Sequence, residues 1–233
     1  NELFLTLNKK IVKNKYPYIL ICLLLWQYSV AQKRVITTGV PFLLITSDAR
    51  AAGMGELGVA SSPDAYSQQW NPSKYAFAER KMGVGVSYTP YLSKLVNDIF
   101  LANLTYYNKI YERGAWAASL KYFSLGDIEL GQVPEDFINP YVESPNELTL
   151  DASYSLQLSD QFAMAVTGRF IRSDLKLNSN IGGDADAAST FSVDVSGYYQ
   201  SEEKSYDAFN GRWRAGFNIS NLGPKLKYDE GGQ

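Results

Sequence analysis

The stretches Thr149–Gln157 (TLDASYSLQ) and Phe191–Tyr199 (FSVDVSGYY) decide the fold class, because apolar and polar side chains alternate along both of them. Successive side chains of a β-strand point to opposite faces, so a period of two predicts strands. The same alternation recurs between Met82 and Asn221, and the sequence therefore predicts an all-β fold with antiparallel strands. The seven predicted strands are Met82–Tyr88, Ile99–Tyr107, Gly114–Phe123, Leu148–Gln157, Gln161–Arg172, Phe191–Tyr199 and Trp213–Asn221.

The distribution of charge predicts what the apolar face of these strands contacts. That face carries no charged residue at mid-strand, whereas the opposite face carries both acidic and basic residues. A charge facing lipid near the bilayer midplane costs roughly 2–4 kcal/mol, so the asymmetry predicts a transmembrane antiparallel β-barrel with its apolar face in lipid. A soluble β-sandwich is the alternative, since its strands also alternate. The apolar face comprises Trp116, Leu120, Tyr122, Leu150, Tyr154, Phe162, Met164, Val166, Phe170, Val193, Val195, Trp213, Phe217 and Ile219. The opposite face holds Lys121, Asp151, Arg169, Asp194 and Arg214, and we expect its three basic residues to pair with its two acids.

The connections between the predicted strands alternate in length, as they do in outer-membrane barrels with short periplasmic turns and long extracellular loops. Bacterial single-chain barrels have even strand numbers, and an open sheet leaves unpaired edges that lipid does not tolerate. Seven strands therefore predict that residues 81–221 are the first half of a larger barrel. Residues 222–233 would begin an extracellular loop, with the chain truncated there. The long connections are Thr89–Asp98, Ser124–Glu147 and Ser173–Thr190; the others are Asn108–Arg113, Leu158–Asp160 and the longer Gln200–Arg212.

Residues 1–31 have the pattern of a secretory signal peptide. Basic residues precede the apolar run Tyr18–Trp26, and Ser29-Val30-Ala31 offers small residues for cleavage before Gln32. Cys22, the one cysteine of the chain, lies inside this segment, so the mature protein is expected to have no thiol.

Composition excludes several classes of function. The formal net charge of −2 argues against nucleic-acid binding, which needs a basic surface to meet phosphates. The absence of histidine removes triads based on histidine and nearly every zinc site. Together with the predicted barrel, these exclusions favour transport or docking over enzymatic activity, and we expect no cofactor.

Residues 32–80 do not alternate and are predicted to form short helices and irregular structure. Gly53–Gly58 (GMGELG) spells G-x-G-x-x-G, but a dinucleotide-binding loop needs a strand immediately before it and a helix opening from it. Here Ser47–Ala52 intervenes after the preceding apolar run, and Pro63 follows before any long helix. We therefore favour glycines that allow this segment to pack closely against the barrel as a plug.

Two of the long connections carry candidate sites. Asp184 and Asp186, with Asn178 and Asn180 nearby, form a candidate calcium site in the 173–190 connection, since hard cations take oxygen ligands; solvated loop acids are the alternative. In the 124–147 connection an apolar group would have no lipid to face if the loop is extracellular, so it is a candidate partner-binding site. Packing of that loop over the barrel mouth is the alternative. The group comprises Phe137, Ile138, Pro140 and Tyr141.

The segment Pro41–Glu79 resembles the N-terminal hatch of FadL-like outer-membrane proteins. Within that superfamily the chain is most similar to the PorV family of the type IX secretion system of Bacteroidetes. The Asn-Pro-Ser element is general to the superfamily, whereas the long hatch signature is more specific, and the similarity extends in character through the strands. The motifs are Asp48–Gly55 (DARAAGMG), Gly58-Val59-Ala60, Asp64-Ala65-Tyr66 and Trp70-Asn71-Pro72-Ser73.

The resemblance implies a fourteen-stranded barrel in the outer membrane, with residues 32–80 as its hatch. The implied hatch residues are Asp48, Arg50, Gly53, Gly55, Asn71 and Pro72. It also implies a transport role, in which the protein binds the C-terminal signal domain of cargo released from the translocon and shuttles it to the surface attachment complex. The implied partners are the giant translocon barrel (SprA/Sov-type), a PorU-like attachment protein, cargo C-terminal domains, and membrane lipid with lipopolysaccharide. A FadL-like channel for long-chain fatty acids or other hydrophobic small molecules is the second function that this resemblance leaves open.

Overall fold

A computed structural model describes residues 39–130, 141–175, 178–179, 183–184 and 187–228. The predicted signal peptide lies outside these ranges, as do Phe137, Ile138 and Pro140 of the candidate partner-binding loop. Asp186 and Asn180 of the candidate calcium site also lie outside them.

Short helices precede the strands. They are a 3₁₀ helix Pro41–Leu44, α1 Ala49–Gly53, α2 Ser67–Trp70 and a 3₁₀ helix Pro72–Phe77. The strands are β1 Met82–Pro90, β2 Ile99–Lys109, β3 Gly114–Leu125, β4 Ile128–Leu130, β5 Tyr141–Glu143, β6 Asn146–Gln157, β7 Phe162–Asp174, β8 Asn178–Ser179, β9 Gly183–Asp184, β10 Ala188–Gln200, β11 Lys204–Ser205, β12 Asn210–Gly211 and β13 Arg214–Leu222.

The seven long strands form one antiparallel sheet in the order β1-β2-β3-β6-β7-β10-β13. Every predicted strand is confirmed, and most extend a few residues further toward the long connections. The short pairs β4–β5, β8–β9 and β11–β12 form separate ribbons inside connections that the sequence predicted to be loops. They were missed because a ribbon of two or three residues is too short to show a period of two.

The sheet buries its polar face and exposes its apolar face. In β6 the polar side chains from Glu147 to Ser155 are buried at every second position, whereas Leu150 and Tyr154 between them are about half exposed. Of the five charges predicted on this face, Lys121, Asp151, Arg169 and Asp194 are at most 7% exposed, whereas Arg214 in the edge strand β13 is exposed. The predicted division into two faces is therefore confirmed for the central strands β3, β6 and β7, and it is the reverse of the burial pattern of a soluble sheet.

Residues 39–80, here called the N-terminal segment, cover the polar face. The 3₁₀ helix Pro72–Phe77 contacts five of the long strands, from β2 to β10. Among the described residues, no helix combines the length and the apolar content that crossing a bilayer requires.

Candidate functional site

The N-terminal segment crosses the polar face from one end of the strands to the other. Val40 and Phe42 pack against Ile171 at the end of the sheet that carries the long connections, here called the long-loop end. Tyr75 and its neighbours pack at the opposite, short-turn end, where the Tyr75 ring stacks on Tyr107 at 4.6 Å between centroids. Between these two apolar clusters, the contacts of the segment with the sheet are mostly polar.

Asn71 is the central polar contact between the segment and the sheet, and it is fully buried. Its side-chain amide donates to the carbonyl of Val59 at 2.9 Å and to the carbonyl of Gly197 in β10 at 3.0 Å. Its Oδ1 accepts hydrogen bonds from the backbone N–H and the hydroxyl of Ser73. Asn71 thereby caps the 3₁₀ helix that begins at Pro72. Proline suits the first helical position because its missing N–H would be unsatisfied there anyway. The sequence Asn-Pro-Ser therefore forms a helix cap that also binds the sheet.

Polar side chains of the sheet complete this contact from the other side. The hydroxyl of Ser153 donates to the amide oxygen of buried Gln68 at 2.6 Å, and the hydroxyl of Ser155 donates to the carbonyl of Ser73 at 3.3 Å. Gly216 in β13 lies so close to Asn71 that a Cβ there would approach the Asn71 amide nitrogen to 2.9 Å. The sheet therefore donates serine hydroxyl groups to the segment, and glycine at position 216 leaves space for the Asn71 side chain.

Asp48 organises the first part of the segment. One carboxylate oxygen accepts from the backbone N–H of Ala51 at 2.7 Å and caps α1, while the other accepts from the Trp70 indole at 2.9 Å. Arg50 forms an ion pair with Asp64 at 2.8 Å and also donates to the Ser62 hydroxyl. These contacts join three successive parts of the segment into one unit.

The glycines of the G-x-G-x-x-G pattern differ in their surroundings; of the three, Gly58 alone is in close contact, and its neighbour Trp70 belongs to the N-terminal segment rather than to the sheet. Gly55 has a φ of +74°, in the left-handed region that favours glycine. A Cβ on Gly58 would fall inside the Trp70 ring, whereas a Cβ on Gly53 would meet nothing within 4 Å. α1 is five residues long and no described strand directly precedes it, so the arrangement lacks the strand and long helix of a dinucleotide site.

Lys74 is a buried cation in the segment, and no carboxylate among the described residues forms an ion pair with it. Its ammonium group donates to the carbonyl of Gly58 at 2.8 Å and to the hydroxyl of Ser61 at 3.1 Å. Burial lowers the pKa of Lys74 from its ordinary value to about 8, and the nearby Asp64 carboxylate only partly opposes this shift. Burial of Lys74 could not be predicted from the sequence, because Lys74 follows three turn-forming residues, a context typical of a surface lysine.

A buried charge cluster lies at mid-height on the sheet. Arg169 pairs with Asp151 at 2.8 Å and with Asp194 at 2.9 Å, and its guanidinium donates to the Asn221 side chain at 2.6 Å. Asn221 sits in a β-bulge of β13 opposite Asp194, with a φ of +62°, and its backbone N–H donates to Asp194 at 2.7 Å. The expected pairing of basic and acidic residues is therefore confirmed for Arg169.

The expected pairing is wrong for the other two basic residues. Lys121 donates to the carbonyl of Ile45 in the N-terminal segment at 3.4 Å, so it links the sheet to the segment. Arg214 lies at the short-turn end, away from the acids, and donates to Gln200 at 3.0 Å. A cavity of about 50 Å³ lies between the cluster and the segment, bounded by Leu43, Gln69, Lys121, Asp151, Arg169 and Asn221.

The structure places the predicted hatch residues as follows. Asp48, Asn71 and Pro72 lie at buried contacts, and Arg50 is a partly exposed ion-pair residue. Gly53 ends α1 and Gly55 forms the turn after it. Gln68 and Tyr75 were not predicted, whereas Trp70 belongs to the Trp70-Asn71-Pro72-Ser73 motif but was not among the six implied hatch residues.

The predicted loop sites are only partly described. Tyr141 begins β5, which pairs with β4 at the long-loop end, and Asp184 ends β9. No cluster of three or more metal-binding side chains occurs in the part of the chain that the structure describes. The calcium site thus stays a hypothesis.

Comparison with known proteins agrees with these features. The family profile described as "Type IX secretion system protein PorV" matches residues 28–233, which include the whole described sheet and the N-terminal segment. No curated protein matches the chain significantly. Because the family match spans most of its length, the chain belongs to the PorV family of type IX secretion system proteins.

Proposed function

We propose that this protein is an outer-membrane component of the type IX secretion system that binds the C-terminal signal domain of secreted cargo. It would take this domain after release from the giant translocon barrel (SprA/Sov-type) and deliver it to a PorU-like attachment protein at the cell surface. The observation that carries the proposal is the reversed burial of the sheet in a chain of the PorV family.

The reversed burial supports an integral location in the outer membrane. The exposed face of the central strands holds Leu120, Leu150 and Val166, and in water such a surface would be prone to aggregation. Lipid tails would cover it without penalty. We further propose that residues 1–31 export the chain as a signal peptide.

The edges of the sheet support a closed FadL-like barrel. In the described sheet β1 and β13 each pair with one neighbour only, and an unpaired backbone edge within a bilayer costs several kcal/mol per group. Pairing with further strands, to the fourteen of FadL-like barrels, would remove both edges. Lipid and lipopolysaccharide would then surround the barrel.

Contacts on the polar face support a plug role for residues 32–80 as a hatch. The segment is tied to the sheet by Asn71, Lys121 and the hydroxyl groups of β6, and an apolar cluster lies at each end of this contact. A barrel filled in this way would act as a carrier whose outer loops do the binding. The polar lining gives no support to a channel for fatty acids, the second function considered.

The β4–β5 ribbon supports a docking surface at the long-loop end. It prolongs β3 and β6 beyond the sheet, and Ile128 and Val142 on it are about half exposed. The apolar residues Phe137, Ile138, Pro140 and Tyr141 belong to the same connection. We propose that this ribbon and the apolar residues of its connection contact the β-rich cargo domain, since exposed strands suit such a partner.

Site-specific photo-crosslinking tests the proposal. A photoreactive residue at Val142 should crosslink to the C-terminal domain of cargo in cells, whereas the same residue at Asp160, in an exposed turn at the opposite end, should not. Purification in mild detergent followed by mass spectrometry should identify the translocon and the attachment protein with the Val142 product. Recovery of fatty acid without any secretion partner, or equal cargo crosslinking at both positions, would reject the proposal.

A further inference from the structure

The connection between β10 and β13 differs from the other connections at the short-turn end. β2 and β3, and likewise β6 and β7, are joined by tight turns, but residues 201–213 contain a separate two-stranded ribbon of β11 and β12. Tyr206 and Phe209 close the ribbon through two mutual backbone hydrogen bonds of 2.8 and 3.3 Å. A connection that only joins two strands does not require a paired ribbon.

Three aromatic side chains form a cluster on the ribbon. The Tyr206 ring stacks on Phe209 at 5.0 Å, and the Trp213 indole donates to the Tyr206 hydroxyl at 3.0 Å. A Cβ on Gly211 would approach the Phe209 ring to 2.9 Å, so glycine lets the rings lie against the ribbon. Phe209 and Trp213 are nevertheless 63% and 67% exposed. We call Tyr206, Phe209 and Trp213 the aromatic cluster.

The aromatic cluster continues the apolar face of the sheet. Trp213 is separated by an even number of residues from Phe217 and Ile219, which lie on the apolar face, so the period of two places it on that face as well. Gly216, at an odd spacing, faces the N-terminal segment. The Phe217 ring covers Gly197 on that same outer face. The cluster therefore extends the exposed apolar surface beyond the end of the strands, on the side away from the N-terminal segment.

The chemistry of the cluster fits the headgroup region of a lipid leaflet. Tyrosine and tryptophan are enriched at this depth because each has an apolar ring and one polar group. Here the indole N–H already has a partner in the Tyr206 hydroxyl, so the ring can leave water without losing a hydrogen bond. The Glu203–Arg212 ion pair at 3.2 Å and the charges of Lys204 and Asp207 flank the rings, as the polar side of such a boundary requires.

We propose that the aromatic cluster inserts into the headgroup region of the leaflet at the short-turn end and fixes the depth of β10 and β13 in the membrane. The occupant of this surface is lipid, and the inference rests on the proposed membrane location of the sheet. The ribbon would thus act as an interfacial anchor beside the edge strand β13.

Spin labels at three positions of the intact protein test the inference, in a Cys22→Ser background reconstituted into phosphatidylethanolamine–phosphatidylglycerol vesicles. Ala208→Cys labels the ribbon tip, Asp160→Cys labels a tight turn at the same end, and Val166→Cys labels the apolar face. The label at 208 should show a several-fold higher ratio of oxygen to nickel-chelate accessibility than the label at 160. Adding Phe209→Ser should lower that ratio toward the value at 160, with heat-modifiable electrophoretic migration showing that the protein remains folded.

The three labels separate failure of the inference from failure of the proposed function. A lipid-accessible label at 166 with a water-accessible label at 208 would overturn the anchor and leave the membrane location intact. Protection of the label at 208 from both oxygen and the nickel chelate would also overturn the anchor, since that result indicates burial against protein. Water accessibility at 166 would reject the membrane location itself.

Discussion

The side-chain amide of Asn71 donates a 3.0 Å hydrogen bond to the backbone carbonyl of Gly197, and these residues are 126 positions apart in the chain. The bond joins the N-terminal segment to β10 at a fully buried point. The same amide group donates to the carbonyl of Val59, and the side-chain oxygen of Asn71 caps the following 3₁₀ helix. One side chain therefore couples the internal order of the segment to its position on the sheet.

Replacing Asn71 with alanine should loosen the N-terminal segment while leaving the sheet folded. The change removes a helix cap and two hydrogen bonds to the carbonyls of Val59 and Gly197, so we expect the segment to lose on the order of 2–4 kcal/mol of stability. Hydrogen exchange of residues 39–80 would measure the loss. Asn146→Ala is the control, because that amide donates an exposed hydrogen bond to the carbonyl of nearby Ser144; equal exchange in both variants would contradict the assigned role of Asn71.

The glycines of the G-x-G-x-x-G pattern should differ sharply in their tolerance of alanine. Gly58→Ala would push a methyl group into the Trp70 ring, which its bond to Asp48 holds in place. Gly53→Ala meets open space and should be neutral or slightly stabilising. Limited proteolysis of the segment compares the two, and a Gly58→Ala protein as resistant as Gly53→Ala would show that Trp70 can move.

Arg169→Met should destabilise the sheet strongly. It would leave Asp151 and Asp194 buried without their cation, and breaking a buried ion pair in this way costs about 3–5 kcal/mol. Arg113→Met breaks the exposed pair with Asp160 and should change stability by less than about 1 kcal/mol. The temperature at which heat-modifiable migration is lost provides the measurement.

A rescue variant distinguishes this charge effect from lost packing. Asp151→Asn combined with Asp194→Asn should restore part of the stability of Arg169→Met, because neutral amides need no cation. If the triple variant had the same melting temperature as Arg169→Met, the loss of stability would be assigned to the missing volume of the arginine side chain instead.

The strands were predictable from sequence because alternation is local, whereas the charge partners were not. Arg169 and Arg214 share one face and one pattern, yet only Arg169 lies at the height of Asp151 and Asp194. Height depends on strand register, which is set by pairing between distant segments. The contact of Asn71 with Gly197 was unpredictable for the same reason, although the Asn-Pro-Ser element marked the position.

The stability of the N-terminal segment should rise between about pH 8 and pH 10. Burial lowers the pKa of Lys74 to about 8, so above that pH the folded segment holds fewer protons than the unfolded segment, whose lysine stays charged. Stability therefore rises with pH in this window. Burial raises the pKa of Tyr75 well above 10, so ionisation of the unfolded tyrosine lowers stability at higher pH.

Protease resistance of residues 39–80 at pH 7.5 and pH 9.5 tests this dependence. The wild-type segment should become more resistant at the higher pH, and Lys74→Met should show no such gain. A gain of equal size in Lys74→Met would assign the effect to another group.

A charge on the apolar face should discriminate between a membrane and a soluble environment. Val166 and Leu158 are exposed to similar extents, 56% and 53%, but Val166 lies in the middle of β7 and Leu158 in the turn before it. In lipid, Val166→Arg should lower the free energy of unfolding by roughly 2–4 kcal/mol and Leu158→Arg by about 0–1 kcal/mol, because the penalty for a charge falls toward the membrane interface. Urea titration of folding into lipid vesicles measures both values. If both arginine variants matched the parent protein, the apolar face would have to lie in water, since exposure alone does not penalise a charge.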